Sequence, residues 1–120
     1  MPSVIDPQVW ASLQALEAAG EPGFLRELVG EFVAQAPSRI ASLGAAGARG
    51  DAQALEREAH GFKGSCGSLG AFAMAESCDR LETMGREGSC VGHADVLAGL
   101  EEQWQAARRA LESALDGPDR

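Results

Sequence analysis

The chain has 120 residues, a formal net charge of −8 at pH 7 and a hydrophobic content of 45%, with no Tyr. This length predicts one domain over residues 1–120, and the acidic charge argues against binding to nucleic acid or to an anionic membrane surface. No apolar run approaches the ~18 residues of a membrane span, and no signal-peptide pattern is visible, so we expect a cytoplasmic protein.

The first two predicted helices are bounded by clear start and stop signals. Asp6 followed by Pro7 is typical of a helix start, because Asp caps free backbone N–H groups and Pro fits the first turn. The turn-forming stretch 20–23 ends this short helix. A long second helix follows, and we expect it to end at the glycine-containing stretch 44–50.

Three further helices complete the pattern. Asp51 is predicted to cap the third helix and Gly70 to end it. The fourth helix is predicted to end within residues 85–88, and the fifth helix carries the last apolar stripe of the chain. Four long amphipathic helices with short breaks predict an all-α fold, an antiparallel up-down four-helix bundle with a short additional N-terminal helix. These stripes are sufficient for the bundle to close as a monomer.

The third helix carries a histidine on its polar face. At about 100° per residue, His60 points roughly 140° away from the apolar stripe, toward solvent. Lys63 and Gly64 lie beside it on the polar face. The stripe itself consists of Leu55, Ala59, Phe62, Cys66 and Leu69. An imidazole held on a rigid helix and away from the core is accessible to a partner molecule.

Three glycines accompany this histidine inside the predicted helix. Gly61, Gly64 and Gly67 each cost about 1 kcal/mol of helix propensity relative to alanine. Close approach by another molecule is the usual physical reason for such a loss. Gly64 follows His60 by four residues, so we expect that a Cβ at this position would crowd the imidazole and anything docked on it.

Residues 59–71 carry a family resemblance. They contain the runs Ala59-His60-x-x-Lys63-Gly64-Ser65 and Leu69-Gly70-Ala71. This pattern closely resembles the motif of histidine-containing phosphotransfer (HPt) domains. The resemblance implies that His60 is phosphorylated, that Lys63 is its cationic neighbour and that Gly64 provides clearance. The family also has a glutamine or glutamate on the next helix that hydrogen-bonds the imidazole, and Glu82 occupies that place.

The resemblance also implies a function. His60 would accept a phosphoryl group from an aspartate of one receiver domain and pass it to another in a multistep two-component phosphorelay. The partners would be receiver domains of response regulators or hybrid sensor kinases, and Mg²⁺ would belong to the receiver. Our mechanistic hypothesis is that the His60 Nε2 attacks, Glu82 accepts a hydrogen bond from Nδ1–H, and Lys63 offsets phosphoryl charge.

The chain carries no signature of an enzyme or of a cofactor. No G-x-x-x-x-G-K-[ST] run or kinase-type glycine loop precedes a strand, so the chain is not predicted to be a kinase. Cys66, Cys78 and Cys90 form no C-x-x-C pair and no metal cluster with histidines, so no metal or other cofactor is expected. Cys66 and Cys78 are interpreted as small core residues.

Two alternatives remain open at this point. A pure interaction module on the same bundle would bind a receiver or kinase without phosphoryl turnover. A metal or haem site at His60 lacks a second ligand at suitable spacing. The other histidine, His93, shares no motif and is interpreted as a surface residue. Receiver docking is expected to use a small apolar patch around His60, shared with the first and second helices.

Overall fold

The computed structural model describes residues 3–116, which form five helices and no strand. The helices are α1 (Pro7–Ala19), α2 (Phe24–Ala48), α3 (Ala52–Ser68), α4 (Phe72–Arg86) and α5 (His93–Asp116). The all-α prediction is therefore confirmed over this range. The outer limits of the predicted domain, residues 1–2 and 117–120, lie outside the described residues.

Helices α2 to α5 surround one hydrophobic core. α2 contacts α3 and α5, α4 also contacts α3 and α5, and α1 contacts α2. The α3–α4 contact is the most extensive of these. In the core, the Phe32 ring stacks on Phe62 at 6.0 Å and meets the edge of Trp104 at 5.7 Å. This packing buries the apolar face of α3 and leaves its opposite face free.

Predicted caps determine where α1 and α3 begin and where α3 ends. The Asp6 carboxylate accepts the N–H groups of Gln8 and Val9 at 2.9 and 3.1 Å, and Asp51 accepts the Ala54 N–H at 3.0 Å. Gly70 ends α3 with a left-handed φ of 79°, a conformation that favours glycine. The three cap predictions are confirmed.

We expect Asp51→Ala to lower the Tm by about 5 °C, because the Ala54 N–H loses its acceptor. The hydrogen bond from the Ala54 N–H lowers the pKa of Asp51 below its ordinary value of 3.8. The cap is therefore fully formed above that pH and is lost as the pH falls through the lowered pKa. Thermal unfolding at pH 7 checks the prediction. Asp51→Asn is the control, since its amide oxygen still caps the helix; an equal loss in both variants would contradict it.

The second helix is longer than the sequence predicted. It passes through Gly44 and Gly47 to Ala48, so the expected break over 44–50 begins too early. A Cβ at Gly47 would overlap the His93 ring at the start of α5, which means that this glycine serves helix packing. The interpretation of His93 as a surface residue is also wrong. Its ring is half-buried, and its Nδ1 lies 3.0 Å from the Cys90 carbonyl oxygen.

Cys66 and Cys78 are completely buried, as predicted. A hydrogen bond with Cys78, together with burial, raises the pKa of the Cys66 thiol far above its usual range, so this thiol stays protonated. Over residues 3–116, no three His, Cys, Asp or Glu side chains are grouped so that they could hold a metal ion. No helix in the same range is long and apolar enough to cross a membrane.

Candidate functional site

The face of α3 that points away from the core presents His60. Ala59, directly before His60, and Phe62, two residues after it, are buried, at 0% and 1% exposure. The His60 side chain, by contrast, is 72% exposed. The buried side chains of Ala59 and Phe62 therefore hold the helix in place on both sides of the histidine, while its imidazole remains accessible to a second molecule.

A buried carboxylate on α4 holds one nitrogen of this imidazole. The Glu82 side chain is only 6% exposed, and its Oε2 lies 2.9 Å from the His60 Nδ1. A carboxylate can only accept, so the hydrogen bond requires the proton on Nδ1. The lone pair of the neutral ring is then on Nε2. This contact fixes the tautomer and the orientation of the ring.

Lys63 lies on the α4 side of His60 and makes two ion pairs. Its Nζ is 2.6 Å from Glu82 Oε1 and 3.1 Å from Asp79 Oδ1. Only the contact with Asp79 has the directional geometry of a hydrogen bond in the structure, so Glu82 Oε1 is held chiefly by charge. These two carboxylates, Glu82 foremost, raise the pKa of Lys63, and the side chain remains a cation.

Arg86 completes the surroundings of Glu82, and the sequence reasoning missed it. Its Nη2 donates to Glu82 Oε2 at 3.0 Å, and its Nε lies 3.4 Å from Glu56 Oε2 on α3. The available signal was its i,i+4 spacing from Glu82, which places both side chains on one face of a helix. Asp79, three residues before Glu82, was missed in the same way.

The charges around Glu82 keep this buried carboxyl group ionised. Lys63 lowers the pKa of Glu82 most, and His60 lowers it further, whereas burial alone would raise it. Arg86 is a second hydrogen-bond donor to the same carboxylate, beside His60. Glu82 therefore remains a hydrogen-bond acceptor for the Nδ1–H of His60 at neutral pH.

Close packing of α3 against α4 brings these groups together. At Gly85, three residues after Glu82, a Cβ would lie 2.5 Å from the Ala52 carbonyl oxygen and 2.6 Å from the Glu56 nitrogen. Only a residue without a Cβ permits the two backbones to come this close. Gly85 thus sets the separation across which Glu82 reaches His60.

Gly64 has a different role from the one expected. Apart from its chain neighbours and the backbone of α3 itself, an added Cβ at this position would meet no atom of the described chain within 4 Å. The expectation that it would crowd the imidazole is therefore wrong, because the His60 ring turns toward Glu82. The same open space exists at Gly67. Any steric benefit of these glycines must come from a molecule that approaches from outside.

We expect Glu82→Gln to lower the free energy of unfolding by about 1 kcal/mol at pH 7, because charge-assisted hydrogen bonds become neutral ones. The pKa of Glu82 is lowered by Lys63 and His60. Its contribution is therefore present above the ordinary pKa of 4.5 and is lost as the pH falls through the lowered pKa. Urea unfolding at pH 7 and pH 3 measures this difference. A difference that grows toward pH 3 would contradict the prediction.

The fold and the site together define a class of protein. It is a small all-helical domain that presents one histidine on an exposed helix face, with Nδ1 bound to a buried carboxylate on the next helix and Nε2 free. In such a site the second imidazole nitrogen is accessible for reaction with another molecule.

Comparison with known proteins agrees with this class. A family model described as "Hpt domain" matches residues 27–114. The crystal structure of histidine-containing phosphotransfer protein B (HptB) from Pseudomonas aeruginosa PAO1 is similar, with 31% sequence identity and a TM-score of 0.84. The match covers 95% of this chain and 96% of that one. No match was found among curated proteins. The chain belongs to the Hpt domain family.

Proposed function

We propose that this chain is a phosphorelay intermediate. His60 accepts a phosphoryl group from the aspartate of one receiver domain and donates it to the aspartate of another. One observation carries the proposal: the exposed imidazole is bound at Nδ1 by the buried Glu82, at 2.9 Å, so that Nε2 faces outward with its lone pair. A histidine packed for structural reasons would not need this arrangement.

The transfer step balances with the groups at hand. The Nε2 lone pair forms a bond to phosphorus, while the bond between phosphorus and the receiver's aspartate oxygen breaks. The aspartate leaves as a carboxylate, and the imidazole ring gains one positive charge. The Nδ1–H of His60 already points at the Glu82 carboxylate, which stabilises that charge. The reverse of these bond changes transfers the phosphoryl group from His60 to the aspartate of a second receiver.

Lys63 is proposed to offset the negative charge of the phosphoryl oxygens. It is attached to the same helix as His60 and is about one-third exposed, so its ammonium group can turn toward an incoming phosphoryl group. Glu82 would keep Arg86 as a partner during this movement. Gly64, where no side chain fills the space, provides room for the receiver to approach.

The remaining parts of the proposal concern the surroundings of the site. The chain needs no cofactor and no ATP-binding machinery, because the receiver supplies Mg²⁺ and the activated phosphoryl group. The pairwise contacts of α2 to α5 and the short connections support an antiparallel up-down bundle. We propose a monomer that acts in the cytoplasm, where receiver domains are its partners.

The test is transfer from a panel of receiver domains labelled on aspartate with radioactive acetyl phosphate. Label should move to this chain, and the new linkage should be lost in acid and stable in alkali, as expected for an N–P bond. Alkali-labile label would indicate an acyl phosphate and contradict the proposal. If no receiver labels the folded chain, the interaction module without turnover becomes the better explanation.

A further inference from the structure

Arg39 on α2 lies beside the helix that carries His60. Its guanidinium carbon is 5.7 Å from the centroid of the Phe62 ring. A Cβ at Gly61 would lie 3.1 Å from the Arg39 Nη1. The guanidinium group therefore covers α3 immediately next to His60. Since Gly61 and Lys63 project to opposite sides of His60 on a helix, Arg39 and Lys63 flank the histidine.

Arg39 differs from Lys63 and Arg86 in its lack of an acidic partner. Lys63 and Arg86 both form ion pairs with Glu82. Arg39 is half-buried, and within residues 3–116 no carboxylate pairs with it. The whole chain has 18 acidic and 10 basic side chains. A guanidinium left unpaired in so acidic a chain, and held in place by an aromatic ring, is available to a carboxylate from outside.

No side chain of α3 stands between Arg39 and His60. Gly61 and Gly64 occupy this part of the helix, and neither has a side chain. Further along the same side of α3, a groove of about 190 Å³ separates α3 from α2; its lining includes Leu28, Phe32, Ser65, Ser68 and the acidic Glu31. An approaching protein can therefore rest on the α3 backbone, with contacts in the groove and with the Arg39 cation next to His60.

We propose that Arg39 is a docking residue that forms an ion pair with a carboxylate of the receiver domain. This inference rests on the proposed function, since the receiver must bring its aspartyl phosphate to His60. A single desolvated pair between an arginine and a carboxylate contributes affinity and orientation. It explains how an acidic chain can bind selectively to a partner that also carries acidic groups at its active site.

The experiment compares transfer kinetics from one labelled receiver that is active with the native chain. We expect Arg39→Glu to raise the KM for the receiver at least ~10-fold, with kcat within about twofold of the native value. Arg39→Lys should recover most of the loss. Arg109→Glu, an equal charge change on an exposed residue of α5, is the matched control and should stay within about twofold of native.

Two measurements separate docking from other roles of Arg39. Phosphoramidate phosphorylates histidine without a protein partner, so Arg39→Glu should react with it as fast as the native chain does. Circular dichroism establishes that each variant is folded. Arg39→Gln keeps a methylene stem against Phe62 but loses the charge; it should still show the raised KM, whatever the stability of Arg39→Glu.

The outcomes are distinct. Equal KM values for Arg39→Glu, Arg39→Gln and Arg109→Glu, with transfer to the native chain intact, would overturn the docking role and leave the proposed function standing. A parallel loss of phosphoramidate reactivity would also overturn it, because Arg39 would then act on the phosphoryl group itself. Absence of transfer to the native chain from every receiver would reject both proposals.

Discussion

Replacement of His60 by glutamine is expected to reduce phosphoryl transfer below about 0.1% of the native level. The amide of glutamine has no nucleophilic nitrogen, so no N–P bond can form. The fold should persist, because the His60 side chain is 72% exposed and the new amide can still donate a hydrogen bond to Glu82. We expect a Tm within about 2 °C of native. Labelled-receiver transfer and thermal unfolding on the same preparation check both parts.

The second histidine of the chain provides a matched control. His93 lies at the start of α5 against Gly47, and its Nδ1 donates to the Cys90 carbonyl oxygen. His93→Gln should therefore lose some stability but keep its label. Persistence of acid-labile label in His60→Gln, or its loss in a folded His93→Gln, would show that the phosphorylated residue had been assigned wrongly.

Helix starts and stops were predictable because they depend on neighbours in sequence. Asp51 caps the Ala54 N–H only three residues away, and the turn that ends α3 depends on Gly70 alone adopting a left-handed conformation. The apolar stripe of α3 was equally readable from the helical period. Such local rules were sufficient to predict that there are five helices and on which face of α3 His60 lies.

The roles of glycines inside helices could not be predicted from their neighbours in sequence. Gly47 was interpreted as part of a break, yet it continues α2 because the His93 ring packs against it. That contact joins residues that are far apart in sequence. Helix propensity gives the energetic cost of a glycine but does not show which neighbouring residue requires the glycine to be there. Both the end of α2 and the position of His93 therefore had to be taken from the tertiary structure.

In the functional site, too, some residues were predicted from the sequence and others were missed. His60, Lys63 and Glu82 were singled out from the sequence pattern and the family resemblance, and the structure brings them together. Arg86 was missed although its i,i+4 spacing from Glu82 was visible in the sequence, whereas the Lys63–Asp79 contact depends on the packing of α3 on α4. The functional roles of His60 and Gly64 stay predictions, which His60→Gln and Gly64→Ala test.

Gly85→Ala is expected to lower the free energy of unfolding by about 2–3 kcal/mol, and the Tm by roughly 10 °C. Its Cβ would meet the Ala52 carbonyl oxygen and the Glu56 nitrogen at 2.5 and 2.6 Å. Both are backbone atoms, which cannot rotate away, so α3 and α4 must separate. The gain of about 1 kcal/mol in helix propensity does not offset this. Urea unfolding measures the change, and transfer should weaken as Glu82 moves away from His60.

Gly64→Ala is the matched control, because it is the same substitution at a helical glycine of the same site. Apart from its chain neighbours and the backbone of α3, no atom of the described chain lies within 4 Å of the new Cβ, so the helix should gain up to about 1 kcal/mol of stability. Transfer from the receiver should nevertheless slow, since the methyl group occupies the approach to His60. If the free energy of unfolding falls in Gly85→Ala and rises in Gly64→Ala, while transfer weakens in both, then Gly85 is needed for helix packing and Gly64 for docking. A stabilised Gly85→Ala would contradict the close helix contact, and undiminished transfer in Gly64→Ala would remove the clearance role.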